Sequence, residues 1–413
     1  MPDTAGGRRP TLLSLNAYHY RRGGADAVYF DHAALMESHG WNNLFYAMHH
    51  PQNLPCAQSR WFADEIDYAG ARGLGAKLRG AARIIYSAEA RAKIAGLLDA
   101  HRVDIAHVHN IYHHQSPSVL IELKRRGIPV VLTAHDLKLA CPAYKMMNGA
   151  GVCERCKGGR VWNVALHRCI KNSLAASTVI MAESAVHKAL DLYRRHIDRI
   201  VTPSNFYRDK LIEWGWPAEM LVHIPNFAAL PPAPESDGSG DYLLYFGRLA
   251  PEKGVETLVR AAATSGVPVR IAGIGPSEAS VRDVIATSGA PAEMLGFLSG
   301  DALWGAVRRA RAIVLPSEWY ENGPMSVLEA YNFGKPLIGS RIGGIPEFIE
   351  EGATGWSFTP GSAEDLAARM AELWAMPAQE LAAMGGRCQQ FVRDQFGPDR
   401  YYRAMRGLYD SLC

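Results

Sequence analysis

No run of 18 apolar residues occurs in this 413-residue sequence, so no segment of it is built to span a bilayer as a helix. Internal repeats and low-complexity tracts are also missing, which excludes solenoids and extended low-complexity tails. After Arg8 and Arg9 the apolar stretch Thr11–Leu15 is too short for the core of an export signal, and the chain is expected to stay in the cytoplasm. Seven cysteines, an odd count without an export signal, argue against structural disulfides. With 48% hydrophobic and 21% charged residues the composition is that of a folded protein, and the length suits two domains of roughly 150 to 200 residues each.

The net charge of +3 hides an asymmetry. Residues 1–225 carry 28 Lys+Arg against 19 Asp+Glu, and the remainder carries 16 against 22. A basic half suits anionic lipid, nucleic acid or a phosphorylated substrate, and scattered solvating charge is the plainer alternative. Lys77, Arg79, Arg83, Arg91 and Lys93 cluster in or before the amphipathic stretch Ala88–Ala100, making it the first candidate for contact with an anionic membrane.

Four cysteines crowd into one segment, 141–169, as C-x11-C-x2-C-x12-C. A thiol cluster with a C-x2-C centre is the ligand set a tetrahedral zinc prefers, so Cys141, Cys153, Cys156 and Cys169 are expected to form a structural site. Four thiolates would leave no open position for water, which assigns the metal no catalytic work.

Short apolar runs alternate with longer amphipathic stretches, the pattern of parallel strands wrapped by helices. Strands are expected at Thr11–Asn16, Asn43–Ala47, Ile105–His109, Pro129–Thr133 and Ile200–Pro203. After the Pro-rich break ALPPAPESDGSG the alternation restarts at Tyr242–Phe246, Val269–Ala272, Met294–Phe297, Ala312–Leu315 and Pro336–Gly339. The expected fold is therefore α/β, with a Rossmann-like domain over 1–228 carrying the excursion 141–169, a linker over 229–240, a second Rossmann-like domain over 241–395, and a terminal helix over 396–413 returning to the first. Two such doubly wound sheets would face each other across a cleft, with the carboxyl ends of their strands turned to the ligand.

Three elements of the second half carry candidate chemistry. The strand Tyr242–Phe246 runs into Gly247-Arg248-Leu249-Ala250-Pro251-Glu252-Lys253-Gly254, where Arg248 and Lys253 form a planar fork and a point charge suited to a diphosphate; ordinary surface charge is the alternative. The turn Gly273-Ile274-Gly275-Pro276 lets a ligand approach the backbone, yet it lacks the third glycine of a dinucleotide site, which disfavours a nicotinamide enzyme. In Leu315-Pro-Ser-Glu-Trp-Tyr-Glu321-Asn-Gly-Pro324-Met-Ser-Val-Leu-Glu329, Pro324 is placed as the first residue of a helix. Glu321 then lies at that helix's positive end and Glu329 inside it, either as ligand contacts or as a cap and a solvated side chain.

The ordered set of these motifs resembles the GT-B glycosyltransferases, in particular the large retaining family 4. The same resemblance takes in Gly23-Gly24, His109, His135-Asp136, Pro203-Ser204 and Gly343-Gly344-Ile345-Pro346-Glu347, so it covers nearly the whole chain. It implies that Arg248 and Lys253 neutralise the diphosphate of a sugar nucleotide, that Glu321 meets the transferred sugar and Glu329 the ribose, and that the amides of Gly323, Pro324, Met325, Ser326 and Val327 meet the sugar and phosphates, with Asn322 a further substrate contact. It implies further that His135 sits near the anomeric carbon, with Arg248, Lys253 and Glu321 as its catalytic companions. Gly23, Gly24, His109, Gly273, Gly275 and Phe297 complete the implied substrate contacts, Phe297 facing the nucleobase through its backbone.

The expected activity is a retaining transfer, of the hexosyltransferase type, from a nucleotide diphosphate sugar to a hydroxyl acceptor. The acceptor implied is a lipid-linked saccharide of surface polysaccharide assembly, with the chain at the inner face of the plasma membrane. Nucleic acid is not an expected partner. No D-x-D triplet occurs, so no catalytic metal or other catalytic cofactor is expected, only the structural zinc. A sugar-nucleotide epimerase, a phosphorylase and a zinc-stapled, non-catalytic binding protein share the architecture as alternatives.

Overall fold

The computed structural model describes residues 8–65, 74–149, 151–228 and 238–413; most of the expected linker, 229–237, lies outside the described residues. The chain divides into two compact units. The first takes Met1–Asn148, Glu154–Pro225 and Tyr401–Cys413, and the second takes Gly149–Cys153 and Asn226–Arg400.

In the first unit the strands β1 (Thr11–Leu15), β2 (Asn42–Tyr46), β3 (Ile105–Val108), β4 (Val130–Thr133), β5 (Arg199–Thr202) and β6 (Leu221–His223) form one parallel sheet in the order β2-β1-β3-β4-β5-β6. β1, β3 and β4 are buried along their whole length, as the near-continuous apolar runs require of a parallel sheet covered on both faces. The helices α1 (Gly24–Ser38), α2 (Leu74–Ile85), α3 (Ala88–Ala100), α4 (Ser118–Arg125), α5 (Leu174–Ala189) and α6 (Asn205–Glu213) supply the crossovers. Ser87 caps α3, Ser173 caps α5 and Ser204 caps α6, each side chain accepting from the helix's first turn.

Of the five cations in the expected basic membrane face at α2 and α3, Arg83 and Arg91 are paired within the protein. Arg83 bonds Glu89 at 2.8 Å and Arg91 bonds Glu122 at 3.2 Å and the Tyr86 hydroxyl at 2.7 Å. Lys77's side chain lies outside the described residues.

In the second unit β7 (Leu243–Phe246), β8 (Val269–Ala272), β9 (Ala292–Gly296), β10 (Ala312–Leu315), β11 (Leu337–Ser340) and β12 (Gly355–Phe358) form a parallel sheet in the order β9-β8-β7-β10-β11-β12. Alternation along β7 builds two cores. Leu243 and Tyr245 pack with Leu258 of α7 (Val255–Ser265), and Leu244 and Phe246 pack with Val327 and Tyr331 further along the chain. α8 (Glu278–Ser288), α9 (Gly300–Arg309), α10 (Met325–Asn332), α11 (Ala363–Ala375) and α12 (Ala378–Phe396) complete the unit.

Each sheet has one topological switch point, between β1 and β3 and between β7 and β10. Loops leaving neighbouring strands diverge there and leave a crevice at the carboxyl edge.

Candidate active site

At the second unit's switch point the turn after β7 meets the loop after β10. Glu318 N–H donates to Glu252 O at 2.9 Å, stitching the two together. Gly254 lies in the left-handed region at φ 63°, and a Cβ there would come within 1.9 Å of Pro316 O, so only glycine lets the turn close on the loop. The turn after β8 is tied in the same way: Leu249 N–H donates to Ile274 O at 3.0 Å, and a Cβ on Gly273 would lie 1.8 Å from Gly247 O. Gly273 and Gly275 thus serve close backbone packing between strand-end turns.

This stitching brings the sequence's two cations onto carboxylates. Arg248, half exposed, donates to buried Glu252. Lys253 Nζ lies 2.6 Å from Glu321 Oε1, and Ser317 Oγ donates to the same oxygen at 2.6 Å. Lys253 also sits over the Trp319 ring, 5.1 Å from its centre. Burial by itself would raise the Glu321 carboxyl; the Lys253 charge and the bonds from Lys253 and Ser317 outweigh it and hold Glu321 below the ordinary glutamate value. Glu321 is therefore a fixed, ionised acceptor whose backbone is pinned as well, since Gly344 N–H donates to Glu321 O at 2.8 Å.

α10 starts at Met325, with extended Pro324 (ψ 112°) as its N-cap, so Pro324 is not the first helical residue as expected. Two of the implied amide contacts fall away. Pro324 has no N–H, and Val327 N–H is committed to Pro324 O at 3.1 Å. Those of Gly323, Met325 and Ser326 have no acceptor among the described residues, leaving three donors at the positive end of the helix. One turn on, Glu329 has no hydrogen-bond or ion-pair partner among the described residues, and burial pushes its carboxyl up to about 7. A half-buried carboxylate left without a donor is costly in a fold that satisfies its neighbours, and it fits a site completed by ligand hydroxyls. Phe297, just beyond β9, is 68% exposed, and Ile274 beyond the neighbouring β8 is 53% exposed, an apolar edge beside the charged one.

In the first unit the switch point is polar but neutralised. Asn16, after β1, donates to Asp26 at 2.9 Å, and Arg22 grips the same carboxylate through two nitrogens at 2.9 and 3.0 Å. Gly23 is extended at φ −173° and a Cβ on it would meet nothing within 4 Å, so the fold itself does not demand glycine there. Gly24 opens α1.

His135 follows β4, and its Nε2 lies 2.8 Å from Nδ1 of His109. His109 was expected to touch ligand; it is instead fully buried at 0% exposure and stands behind His135. Rings of His107, His109 and His135 stack in a column, with centres 4.7 and 5.1 Å apart. His107 bonds Thr133 Oγ1 at 2.7 Å and the Tyr409 hydroxyl, which also bonds His32 at 2.9 Å. Burial lowers all four histidines, His135 to about 4, so at neutral pH the column is uncharged. His109 Nε2 is buried without a partner. A bare ring nitrogen there costs less than a stranded N–H, so His109 carries its proton on Nδ1 and donates to His135 Nε2. His135 is thereby left as the tautomer that donates from Nδ1. Beside it, burial pushes Asp136 up to about 6, and the Lys138 amide donates to it at 2.9 Å.

The expected zinc centre is not formed. Among the described residues no three His, Cys, Asp or Glu are arranged to hold a metal ion, and all seven cysteines are thiols. Cys141 and Cys156 are buried, and Cys153 and Cys169 are half-buried. Sequence reasoning also passed over Ser317, Glu252 and the His32–His107 pair. Ser317 was visible in the same short string as Glu321, whereas the histidines are distant in sequence and meet only through the sheet.

Two family models match consecutive stretches of the chain, a glycosyl transferase 4-like domain over residues 23–226 and glycosyl transferases group 1 over 227–388. Sulfoquinovosyl transferase SQD2 of Arabidopsis thaliana is 35% identical over 282 residues, 64% of this chain and 49% of that protein. The putative colanic acid biosynthesis glycosyltransferase WcaL of Salmonella typhimurium is 28% identical over 239 residues, 54% of this chain and 58% of that one. The chain thus spans about half the length of the curated relatives it matches. Among solved structures, HepE of Anabaena in complex with UDP-glucose superposes with a TM-score of 0.68 at 18% identity, over 97% of this chain and 99% of that one. Sucrose-phosphate synthase from Thermosynechococcus elongatus gives 0.70 at 18% identity, over 98% and 99%. At such identity the likeness concerns the fold, two parallel-sheet Rossmann-like domains.

Proposed function

Because the chain belongs to the glycosyl transferases group 1 family and has the GT-B fold, we propose that it moves a sugar from a nucleotide diphosphate sugar to a hydroxyl acceptor, with retention at the anomeric carbon. One observation carries the reading: two cations, three uncommitted amides and an unpartnered carboxylate converge at the second unit's switch point. Each matches one part of such a donor. Arg248 and Lys253 take the diphosphate, Glu329 accepts from ribose hydroxyls, and Glu321, already ionised and fixed, orients the transferred sugar.

The main chemical demand is the charge that develops on the leaving diphosphate. Preorganised N–H donors of Gly323, Met325 and Ser326 meet it together with the two side-chain cations, and they need no reorganisation as the bond breaks. No carboxylate is assigned as a nucleophile, so departure and attack share one face through an oxocarbenium-like state. The absent D-x-D triplet makes transfer independent of a divalent metal in this reading, and rates should persist in a chelator.

A lipid-linked saccharide of surface polysaccharide assembly is the proposed acceptor, supported by the basic balance of residues 1–225 and by a colanic acid transferase among the relatives. The deciding experiment is a melting panel with UDP, GDP, ADP and dTDP. A diphosphate at a hundred times its dissociation constant should stabilise by about 2.7 kcal/mol. Stabilisation by one nucleotide, lost in Lys253→Ala and Glu329→Ala, supports the reading and names the base; a folded protein that responds to none overturns it. Nucleotide release that needs no acceptor would point to the epimerase instead.

A further inference from the structure

The excursion between β4 and α5 ends in a surface that the transfer chemistry does not use. A single helical turn, Asn163–Leu166, packs along the start of α5. Leu166 N–H donates to Trp162 O at 3.1 Å, so these two residues, one turn apart, share a face. Trp162 is 56% exposed and Leu166 71%, and Leu174, the first residue of α5, is 54% exposed. Three large apolar side chains left in water between positions 162 and 174 are a local concentration: Trp162 is the one exposed tryptophan among the described residues, while elsewhere Leu54 and Leu190 are exposed to a similar degree.

Charge decides what covers them. Between Glu154 and Lys171 the sequence carries Arg155, Lys157, Arg160, Arg168 and Lys171 against the single carboxylate of Glu154. Lys157 is paired with Glu213 and Arg155 lies 2.8 Å from His167, but Arg160 donates only to Lys157 O, at 3.0 Å. Arg168 and Lys171 have no acceptor among the described residues and are exposed. Both stand in the left-handed region, at φ 46° and 49°, a conformation that side-chain-bearing residues rarely adopt, in the turn joining Leu166 to Leu174. An apolar patch holding a tryptophan and rimmed by uncommitted cations is the pattern of an interfacial anchor, in which rings and leucines enter the acyl boundary and cations meet lipid phosphates.

We propose that Trp162, Leu166 and Leu174, with Arg160, Arg168 and Lys171, dock the chain on an anionic lipid bilayer. The patch connects to the site region within the first unit. α5, which starts at Leu174, also carries Glu183, and Lys138, shortly after His135, donates to that buried carboxylate at 2.7 Å. Docking therefore acts on the helix that holds the segment following His135.

Flotation of the full chain with vesicles tests this without donor or acceptor, so its failure leaves the proposed transfer standing. Vesicles of phosphatidylcholine with 30 mol% phosphatidylglycerol should carry the protein up, pure phosphatidylcholine should carry at most a tenth as much, and 0.5 M NaCl should release most of it. Trp162→Ser with Leu166→Ser, and separately Arg168→Glu with Lys171→Glu, should each lower the bound fraction at least tenfold while keeping the wild-type melting temperature. Equal flotation by either double variant, or by neutral vesicles, overturns the proposal. So does an absence of flotation together with concentration-dependent self-association that Leu166→Ser abolishes, which would make a second copy of the chain the occupant.

Discussion

The carboxyl edges of the two sheets are built from the same topology and opposite electrostatics. In the first unit the stacked rings of His107, His109 and His135, with His32 edge-on at the end of the column, are uncharged and tied to the hydroxyls of Tyr401 and Tyr409. In the second, charged groups are only half satisfied: Lys253 and Glu321 hold each other, but Glu329 and three amides have no partner among the described residues. A polar group buried without a partner costs stability, so a fold keeps one only where something else completes it. In the proposed reading the first edge positions one side chain, His135, and the second receives a ligand's charge.

That contrast can be broken most severely at Lys253. With Lys253 meeting the leaving diphosphate as proposed, Lys253→Ala should lower kcat/KM by about a hundredfold to a thousandfold, and it also strips Glu321 of its ion-pair partner; steady-state kinetics with saturating acceptor checks it. A loss below fivefold would mean the second edge is not electrostatic in its work. Gly254→Ala should destabilise by about 2 kcal/mol or more, because its Cβ would strike Pro316 O, as denaturant melts would show.

At the first edge, His109→Leu should reduce kcat by about tenfold with the donor KM held, because His135 loses the bond that sets its tautomer. His109→Asn, which keeps a donor near the Nδ1 position, should recover most of the rate. Imidazole nitrogen shifts in the wild type should report His135 protonated on Nδ1, and a proton on Nε2 would refute the assignment.

The smallest effect sharpens the contrast through pH. Glu329 is raised to about 7 by burial, so it is largely protonated below that pH and ionised above it. Ribose hydroxyls donate to the ionised form, and nucleoside binding should tighten severalfold between pH 6 and 8. Without ligand the sign reverses: folding favours the protonated carboxyl, so stability from this group is present at low pH and is lost as pH rises through 7. Glu329→Gln should flatten both slopes, which calorimetry and melting curves can follow.

Most strands were legible because parallel strands buried on both faces must be short, continuous apolar runs, as in Val130–Thr133 and Ala312–Leu315. The edge strands β6 and β12 were missed, being brief and partly polar: Leu221-Val-His223 is buried only at Leu221, and Gly355-Trp-Ser-Phe358 carries glycine and serine. The reading of Arg248, Lys253, Glu321 and Glu329 came from residues close in sequence to strand ends, where the topology guarantees proximity. Cysteine spacing misled, because a C-x2-C string names the residue types a metal prefers without placing their sulfurs around one point.

Local sequence alone decided the two doubly wound sheets, since short continuous apolar runs and amphipathic stretches of period 3.6 write themselves into neighbouring residues, and it decided which strand ends carry charge. Only the tertiary structure decided which charges are committed. Glu321 is held by Lys253 from 68 positions away, His109 is screened behind His135, and Glu329 is left without a donor. Partnership between distant side chains depends on the order in which strands pair, and no local pattern records it.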